Sequence, residues 1–221
     1  MEKKLLIICE DLFALDIKMI VDSIEKYWKE MNWILPYHFY GYVCTQQSET
    51  KLSRILSPIV GTAETFYPKP NETFAMGIVN PQNKKKYAEI FKERGASFET
   101  LWAPWVLAPL SMSFGEGSII AADSIIKSAT IKSFVTLYHS MIGYRSVIDD
   151  YASVMGYANT TSAHIGEGAY IGANSAIMED LYVGENAYVS PGSMVVRNVK
   201  SEIKVMGLPA RRIKEEYGGL R

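Results

Sequence analysis

The sequence predicts a two-part fold, a small Rossmann-like α/β domain with a parallel sheet followed by a left-handed parallel β-helix. Two observations predict it. The first half alternates apolar runs with amphipathic helical segments, and the second half repeats an aliphatic residue every six positions. The predicted boundaries are 1–110 for the α/β domain, 111–200 for the β-helix and 201–221 for a C-terminal capping segment.

The six-residue repeat is the strongest pattern in the chain. An α-helix repeats every 3.6 residues and a strand every two, so neither explains it. In a β-solenoid each six-residue unit forms one face of a triangular coil and points its aliphatic side chain inward. Glycine often follows the aliphatic residue, where we expect no room for a side chain. The regular anchors are Ile165, Ile171, Ile177, Val183, Val189 and Val195, and the glycines are Gly166, Gly172 and Gly184.

The repeat continues upstream with interruptions. The interval from Val154 to Ile165 is one residue short, which predicts a shortened turn near residues 157–161. The ladder is expected to run over residues 115–199. Because three units make one coil, every third anchor should stack on the next. The expected stack is Ile120, Leu137, Val154, Ile171 and Val189.

The first half has the pattern of a small open α/β sheet. Its first strand is a continuous apolar run, as expected of a strand buried on both faces of a parallel sheet. The two helices have apolar residues at helical spacing, and Gly95 ends the second one. The predicted strands are 4–9, 38–43, 73–79 and 98–101, the helices are 15–28 and 82–94, and residues 103–113 form a linker to the prism.

The turn after the first strand contains Glu10 and Asp11 and no glycine. In sheets of this kind that turn usually cradles a phosphate, using glycine backbone and the positive end of a helix. Two carboxylates would repel a pyrophosphate. We therefore expect this domain to be structural or to bind a neutral or cationic ligand, with a phosphate site as the alternative.

Composition excludes several other classes of function. A formal net charge of -1 argues against a nucleic-acid-binding protein. No apolar run is long enough for a membrane span or a signal peptide, so we expect a cytoplasmic protein. Cys9 and Cys44 are expected to be buried reduced thiols. No histidines and carboxylates show metal-ligand spacing, so no metal site is predicted.

With these features the chain resembles the bacterial sialic acid and amino-sugar O- and N-acetyltransferases, a hexapeptide-repeat family. The resemblance implies a homotrimer that binds acetyl-CoA in the groove between neighbouring prisms. It implies acetyl transfer to an amino sugar or sugar nucleotide for cell-surface glycan synthesis. The residues that carry it are 4–8, 76–81 with the lysines 84–86, 115–117 at the start of the prism, and 195–199 with 205–213 at its end.

One departure from the family concerns its catalytic histidine. The family's Gly-His-Asp-x-x-Ile-Gly unit aligns with residues 143–149, so Tyr144 takes the histidine position and Arg145 that of its acidic neighbour. A second family histidine aligns with Ser153. A tyrosine of ordinary pKa, about 10, is a poor base at pH 7. His139 is the nearest imidazole, and it lies in another unit that is one residue short, between Leu137 and Ile142. It is the expected substitute base, if this contraction tilts its turn toward the groove lined by Tyr144. A histidine in a surface turn is the alternative.

The resemblance also implies where coenzyme A would bind, mainly through backbone groups along the coil edges. A basic side chain, Arg197, is expected to meet the nucleotide phosphates, with Lys200, Arg211 and Arg212 nearby. A solvated basic tail is the alternative for these residues. The predicted backbone sites are Thr161, Ser162, Ala163, Gly172, Ser190 and Gly192.

The sequence predicts surface or structural roles for several polar residues and leaves one alternative function open. We expect His164 to be an exposed or trimer-face residue, His38 to be structural, and Asp149 and Asp150 to form a solvated turn. The alternative to an enzyme is a trimeric binding or scaffold protein that kept the prism and lost the chemistry. Whether the product is an ester or an amide also stays open.

Overall fold

The structure is a computed structural model that describes residues 3–213 of the 221-residue chain. It begins with a four-stranded parallel sheet in the order β3-β2-β1-β4. The strands are β1 Lys3–Cys9, β2 Tyr37–Cys44, β3 Ile59–Thr62 and β4 Glu72–Gly77, and the helices are α1 Phe13–Glu30, α2 Gln46–Leu52 and α3 Pro81–Glu93. The three strands predicted at 4–9, 38–43 and 73–79 and both predicted helices are confirmed, whereas α2 and β3 were not predicted.

Strand β1 is the centre of this sheet, and its apolar run serves two layers. Successive side chains of a strand point to opposite faces. Leu5 and Ile7 therefore pack with the buried face of α1, while Leu6 and Ile8 pack with Phe91 of α3. Burying both faces requires the continuous apolar sequence that predicted the strand.

None of the helices formed by residues 3–213 has the length and apolar character that a membrane-spanning segment needs.

The second half is a parallel β-helix with three faces, and the predicted fold class is confirmed. We number the faces in the order in which the chain visits them. Face 1 has the order β21-β20-β18-β15-β12-β9-β6-β5, face 2 the order β19-β16-β13-β10-β7, and face 3 the order β17-β14-β11-β8. The strands are β5 Leu101–Trp102, β6 Ile119–Ile120, β7 Ile125–Ile126, β8 Thr130–Ile131, β9 Thr136–Leu137, β10 Met141–Ile142, β11 Val147–Ile148, β12 Ser153–Val154, β13 Asn159–Thr160, β14 His164–Ile165, β15 Tyr170–Ile171, β16 Ala176–Ile177, β17 Tyr182–Val183, β18 Tyr188–Val189, β19 Met194–Val195, β20 Lys204–Gly207 and β21 Ala210–Arg212.

The interior of the prism is the predicted aliphatic stack. On face 1, register pairs each expected member with the next, from Ile120 through Leu137, Val154 and Ile171 to Val189. The short interval lies between Thr160 and Ile165, because Thr160 is itself an interior anchor, fully buried and paired with Ile177. A threonine at that position conceals the repeat from a search for aliphatic residues.

The repeat glycines are required by the closeness of successive coils. A Cβ at Gly166 would lie 2.8 Å from the backbone N of Glu185, and a Cβ at Gly184 would lie 2.3 Å from that of Ser201. At Gly172 the corresponding distance to the N of Pro191 is 2.5 Å. These glycines are therefore needed for space, as expected. The left-handed backbone conformations fall on other corner residues, such as Asn174 and Asn186.

Both ends of the prism differ from expectation. The predicted linker 103–113 is wrong, because residues 101–114 already pair with the following coil through Leu101, Leu107 and Phe114. The predicted strand 98–101 is reduced to one bridge between Phe98 and Phe74, since Leu101 belongs to face 1.

At the other end of the prism, β20 extends face 1 and pairs antiparallel with β21. Residues 214–221 of the predicted capping segment lie outside the described residues.

The α/β domain docks on face 1 through α3. The Lys84 side chain is fully buried, and its Nζ lies within hydrogen-bond distance of Thr136 Oγ1, Ala152 O and Ser153 Oγ, at 2.9, 3.2 and 2.8 Å. Ser153 Oγ in turn donates to the carbonyl of Val79 at 2.7 Å. Burial lowers the pKa of Lys84 well below the ordinary lysine value. This contact fixes α3 against face 1 of the prism. The corner between faces 2 and 3 takes no part in it.

Candidate active site

The structure sorts the predicted site residues onto two corners of the prism. Corner 2–3, between faces 2 and 3, includes residues 127–129, 143–146, 161–163, 178–181 and 196–198. Corner 1–2, between faces 1 and 2, includes residues 121–124, 138–140, 155–158, 172–175 and 190–193. Corner 2–3 carries Tyr144, Thr161, Ser162, Ala163 and Arg197, while corner 1–2 carries His139, Gly172, Ser190 and Gly192.

Corner 2–3 is built from stacked left-handed turns. Arg145, Ser162 and Asp180 each have a positive φ, of 60°, 52° and 58°. Ser162 donates to the carbonyl of Tyr144 through both its backbone N, at 3.0 Å, and its Oγ, at 3.1 Å. The Arg145 guanidinium lies across the two coils below it, 3.3 Å from Ser162 Oγ and 3.5 Å from Asp180 Oδ1. The corner therefore presents a continuous column of polar groups.

Tyr144 projects from this corner as an exposed ring. The Nζ of Lys127 lies 5.1 Å from the ring centroid, which places a positive charge against the aromatic face. Thr161 donates to the side chain of Asn159 at 3.2 Å, and buried Ala163 accepts from the backbone N of Val147 at 3.0 Å. Tyr144 and residues 161–163 are thus neighbours on this corner, and none of residues 143–146 and 161–163 is a histidine.

A cavity of about 420 Å³ opens at the start of corner 2–3, and its lining is mostly polar. A second cavity, of about 340 Å³, lies at the far end of the prism. Arg197 lies on corner 2–3 at that end and shares the second cavity with Lys200, Arg211 and Arg212. The corner therefore ends in a basic cavity.

On corner 1–2 the backbone N–H groups of the predicted coenzyme residues are already hydrogen-bonded between coils. Gly172 donates to Val189 at 2.8 Å, and Gly192 donates to Ala173 at 2.8 Å. Ser190 donates to Val205 at 2.9 Å, and the Ser190 carbonyl accepts from Ser175 Oγ at 3.1 Å. From these residues, a ligand would meet mainly carbonyl oxygens and small side chains.

His139 lies on corner 1–2, one face away from Tyr144. Strand β10 separates the two residues, and the ring of His139 packs against those of Tyr138 and Tyr157 at centroid distances of 4.4 and 6.2 Å. Its Nδ1 is buried and makes no hydrogen bond within residues 3–213. The structure therefore does not bring His139 and Tyr144 together within one chain.

Face 3 holds the imidazole of His164, which the sequence predicts to be an exposed or trimer-face residue. The Nε2 of His164 lies 2.7 Å from Oδ2 of Asp149, and Lys132 Nζ lies 2.7 Å from Oδ1 of the same carboxylate. The His164 ring also contacts the ring of Tyr182 edge-on, with centroids 5.1 Å apart. Burial acts to raise the pKa of Asp149, but the hydrogen bonds from Lys132 and His164 outweigh it and hold the pKa below its usual value.

The ladder itself contained a signal for this pair. Ile148 and Ile165 are paired anchors, so the residues beside them point outward on face 3. Asp149 follows one anchor and His164 precedes the other, which makes them diagonal neighbours.

In the α/β domain a second carboxylate is perturbed. Glu10 lies after β1 and accepts from the Asn83 side chain of α3 at 2.6 Å. Burial raises the pKa of Glu10 to about 7, against the opposing effect of the Asn83 hydrogen bond. Within residues 3–213, no group of three or more His, Cys, Asp or Glu side chains is arranged to hold a metal ion.

Comparison with known proteins agrees with this architecture. Residues 162–197 match the bacterial transferase hexapeptide (six repeats) family. No curated protein sequence matches the chain.

Solved structures extend the likeness to the whole fold. The acetyltransferase domain of PglB from Neisseria gonorrhoeae, in complex with acetyl coenzyme A, has a TM-score of 0.78 at 15% identity, covering 96% of this chain and 100% of that one. WeeI from Acinetobacter baumannii has a TM-score of 0.79 at 20% identity, with coverage of 96% and 100%. A variant of perosamine N-acetyltransferase from Caulobacter crescentus, in complex with CoA and GDP-perosamine, has a TM-score of 0.77 at 16% identity. The match covers 96% of this chain and 97% of that one.

Proposed function

We propose that this protein is an acetyl-CoA-dependent acetyltransferase that acts on an amino sugar or a sugar nucleotide. The observation that carries the proposal is the column of polar groups along corner 2–3, which runs from Tyr144 through Ser162 and Asp180 to the basic cavity at Arg197. Proteins of similar fold bind acetyl coenzyme A, or CoA together with GDP-perosamine.

The shape and charge of corner 2–3 suit an extended coenzyme with phosphates at one end. Three coils separate Tyr144 from Arg197, about 14 Å at the usual spacing between strands. The phosphates would lie at the basic end, where Arg197, Lys200 and Arg211 supply charge-assisted hydrogen bonds. The thioester would then lie near Tyr144 and Ser162, beside the acceptor sugar.

A homotrimer would complete the groove with a second prism. Face 2 exposes three methionines, Met141, Met178 at its edge and Met194, by 40%, 53% and 42%. Exposed large apolar side chains on one face support an interface between copies of the chain. Corner 1–2 of a neighbouring subunit, with Gly172, Ser190 and Gly192, would supply the second wall of the groove.

The test is coenzyme turnover. The protein is incubated with acetyl-CoA and a panel of free and nucleotide-linked amino sugars, and thiol release and product mass are measured. We expect release of coenzyme A with at least one acceptor, and resistance of the product to hydroxylamine would identify an amide. Arg197→Gln should weaken acetyl-CoA binding by about tenfold, the loss of one charge-assisted contact.

A trimeric binding protein without catalysis is the second candidate. It is favoured by one observation, the tyrosine at position 144 where the resembled family has its histidine. Acetyl-CoA binding measured by calorimetry, with no thiol release for any acceptor, would support this candidate and contradict the enzyme.

A further inference from the structure

The pair formed by His164 and Asp149 has the arrangement of an oriented general base. One ring nitrogen of His164 contacts the Asp149 carboxylate at 2.7 Å, and the side chain is 46% exposed on face 3. No hydrogen bond to the other nitrogen, Nδ1, occurs within residues 3–213. A carboxylate bound to one nitrogen fixes the tautomer and leaves the second nitrogen as a proton acceptor.

The surroundings of the pair hold this geometry. Lys132 binds the other oxygen of Asp149, so the carboxylate is held from two sides. The ring of Tyr182, on the next coil, contacts the imidazole edge-on. Lys132 also lies in the field of Asp150 and Glu167.

His164 also lies beside the candidate site. It follows Ser162 and Ala163 directly in the chain, and Ser162 is hydrogen-bonded to Tyr144 on corner 2–3. The imidazole therefore stands at the edge of face 3 that borders this corner. His139, by contrast, has a buried Nδ1 and no carboxylate bound to its ring in the described part of the chain.

We propose that His164 is the general base of the acetyl transfer and that Asp149 is its positioning residue. This inference rests on the proposed acetyltransferase function and assigns its base. The base lies on a different unit of the prism from Tyr144, which takes the position of the resembled family's histidine.

The proposed step balances without a further reagent. The amine or hydroxyl of the acceptor sugar attacks the thioester carbonyl, and Nδ1 of His164 takes the proton that the attacking group loses. Collapse of the tetrahedral intermediate breaks the C–S bond. The imidazolium, stabilised by Asp149, returns its proton to the sulfur, so the products are the acetylated sugar and coenzyme A.

The experiment measures kcat/KM over pH 5–9 for the full chain and five variants, with acetyl-CoA affinity measured by calorimetry. Because general-base catalysis contributes about 10²–10⁴-fold, His164→Gln should lose at least about 100-fold with acetyl-CoA affinity unchanged. Free imidazole should restore part of the rate to His164→Ala. Asp149→Asn should lower kcat and leave KM for acetyl-CoA unchanged, because the imidazole loses the carboxylate that orients it. The matched control, Asp150→Asn, retains an acceptor for the Ser133 N–H and should keep the profile of the unmodified protein.

The outcomes separate this inference from the function on which it rests. If the unmodified protein turns over and His164→Gln retains its rate, the base assignment is overturned and the acetyltransferase function stands. A large loss in His139→Gln with full activity in His164→Gln would likewise overturn it and assign the base to His139. If the unmodified protein turns over no acceptor, the proposed function fails and the base assignment fails with it.

Discussion

The Nζ of Lys84 lies 2.8 Å from the Oγ of Ser153, and this buried contact joins helix α3 to face 1 of the prism. Ser153 aligns with a histidine position of the resembled family, so a position that the family gives to an imidazole here serves the contact between domains. Because burial lowers the pKa of Lys84, its amine is neutral in the folded protein at pH values where the unfolded chain is protonated.

The pH dependence of stability tests this buried amine. The unfolded state binds the additional proton, so the free energy of unfolding should rise with pH until the ordinary lysine pKa of about 10.4 is reached. Lys84→Met should remove up to about 1.4 kcal/mol per pH unit from that slope, measured by urea unfolding between pH 8 and 10. Lys85→Met is the control, because the Glu167 hydrogen bond raises the pKa of Lys85. An equal slope in Lys84→Met and the unmodified protein would contradict a neutral Lys84.

Glycine substitutions test the spacing of the coils. Gly184→Ala places a Cβ 2.3 Å from the backbone N of Ser201 and should cost about 1–3 kcal/mol. At Gly156 the nearest atom to an added Cβ is Tyr138 O at 3.9 Å, so Gly156→Ala should change the free energy of unfolding by no more than about 0.5 kcal/mol. Thermal or urea unfolding measures both variants, and equal stabilities would show that the coils can separate at Gly184.

The raised pKa of Glu10 predicts that the free energy of unfolding falls as pH rises. Its folded pKa of about 7 exceeds the ordinary value of about 4.3, so the folded state binds the additional proton between these two pH values. Stability should fall as pH rises through this window, and Glu10→Gln should remove the fall, gaining roughly 1–2 kcal/mol at pH 8 after allowance for partial exposure. Urea unfolding at pH 4.5 and 8 measures it. The fall should persist in the exposed neighbour variant Asp11→Asn.

The mass of the protein in solution tests the role of face 2. Light scattering should give three times the chain mass of 24.8 kDa. A double variant, Met178→Lys and Met194→Lys, should give the single-chain mass, because two charges would be buried in the interface. Ile34→Lys, which changes an exposed apolar residue of the α/β domain, should remain trimeric. A monomeric unmodified protein would contradict both the trimer and a groove between prisms.

The prism was predictable from sequence because its interior admits one kind of residue at a fixed interval. The prediction missed Thr160, a polar anchor, and the first coil, where Leu101, Leu107 and Phe114 are spaced irregularly among prolines. In the α/β domain, β3 has four half-buried residues, too few for a clear apolar pattern. Local irregularity, rather than a different fold, accounts for these omissions.

The candidate site was less predictable, because it depends on which residues become neighbours between coils. The neighbourhood of Tyr144 and Ser162 followed from the ladder, but the separation of His139 from Tyr144 by a whole face depends on which corner each turn occupies. The contact between His164 and Asp149 was implicit in the pairing of Ile148 with Ile165. Recognising it required the side-chain geometry.

A crystal structure with bound coenzyme A would show which corner of the prism holds the thioester. We expect the coenzyme to lie along corner 2–3, with its phosphates at Arg197 and its sulfur beside Tyr144 and His164. A coenzyme whose sulfur lies against His139 and Tyr157, away from His164, would contradict it.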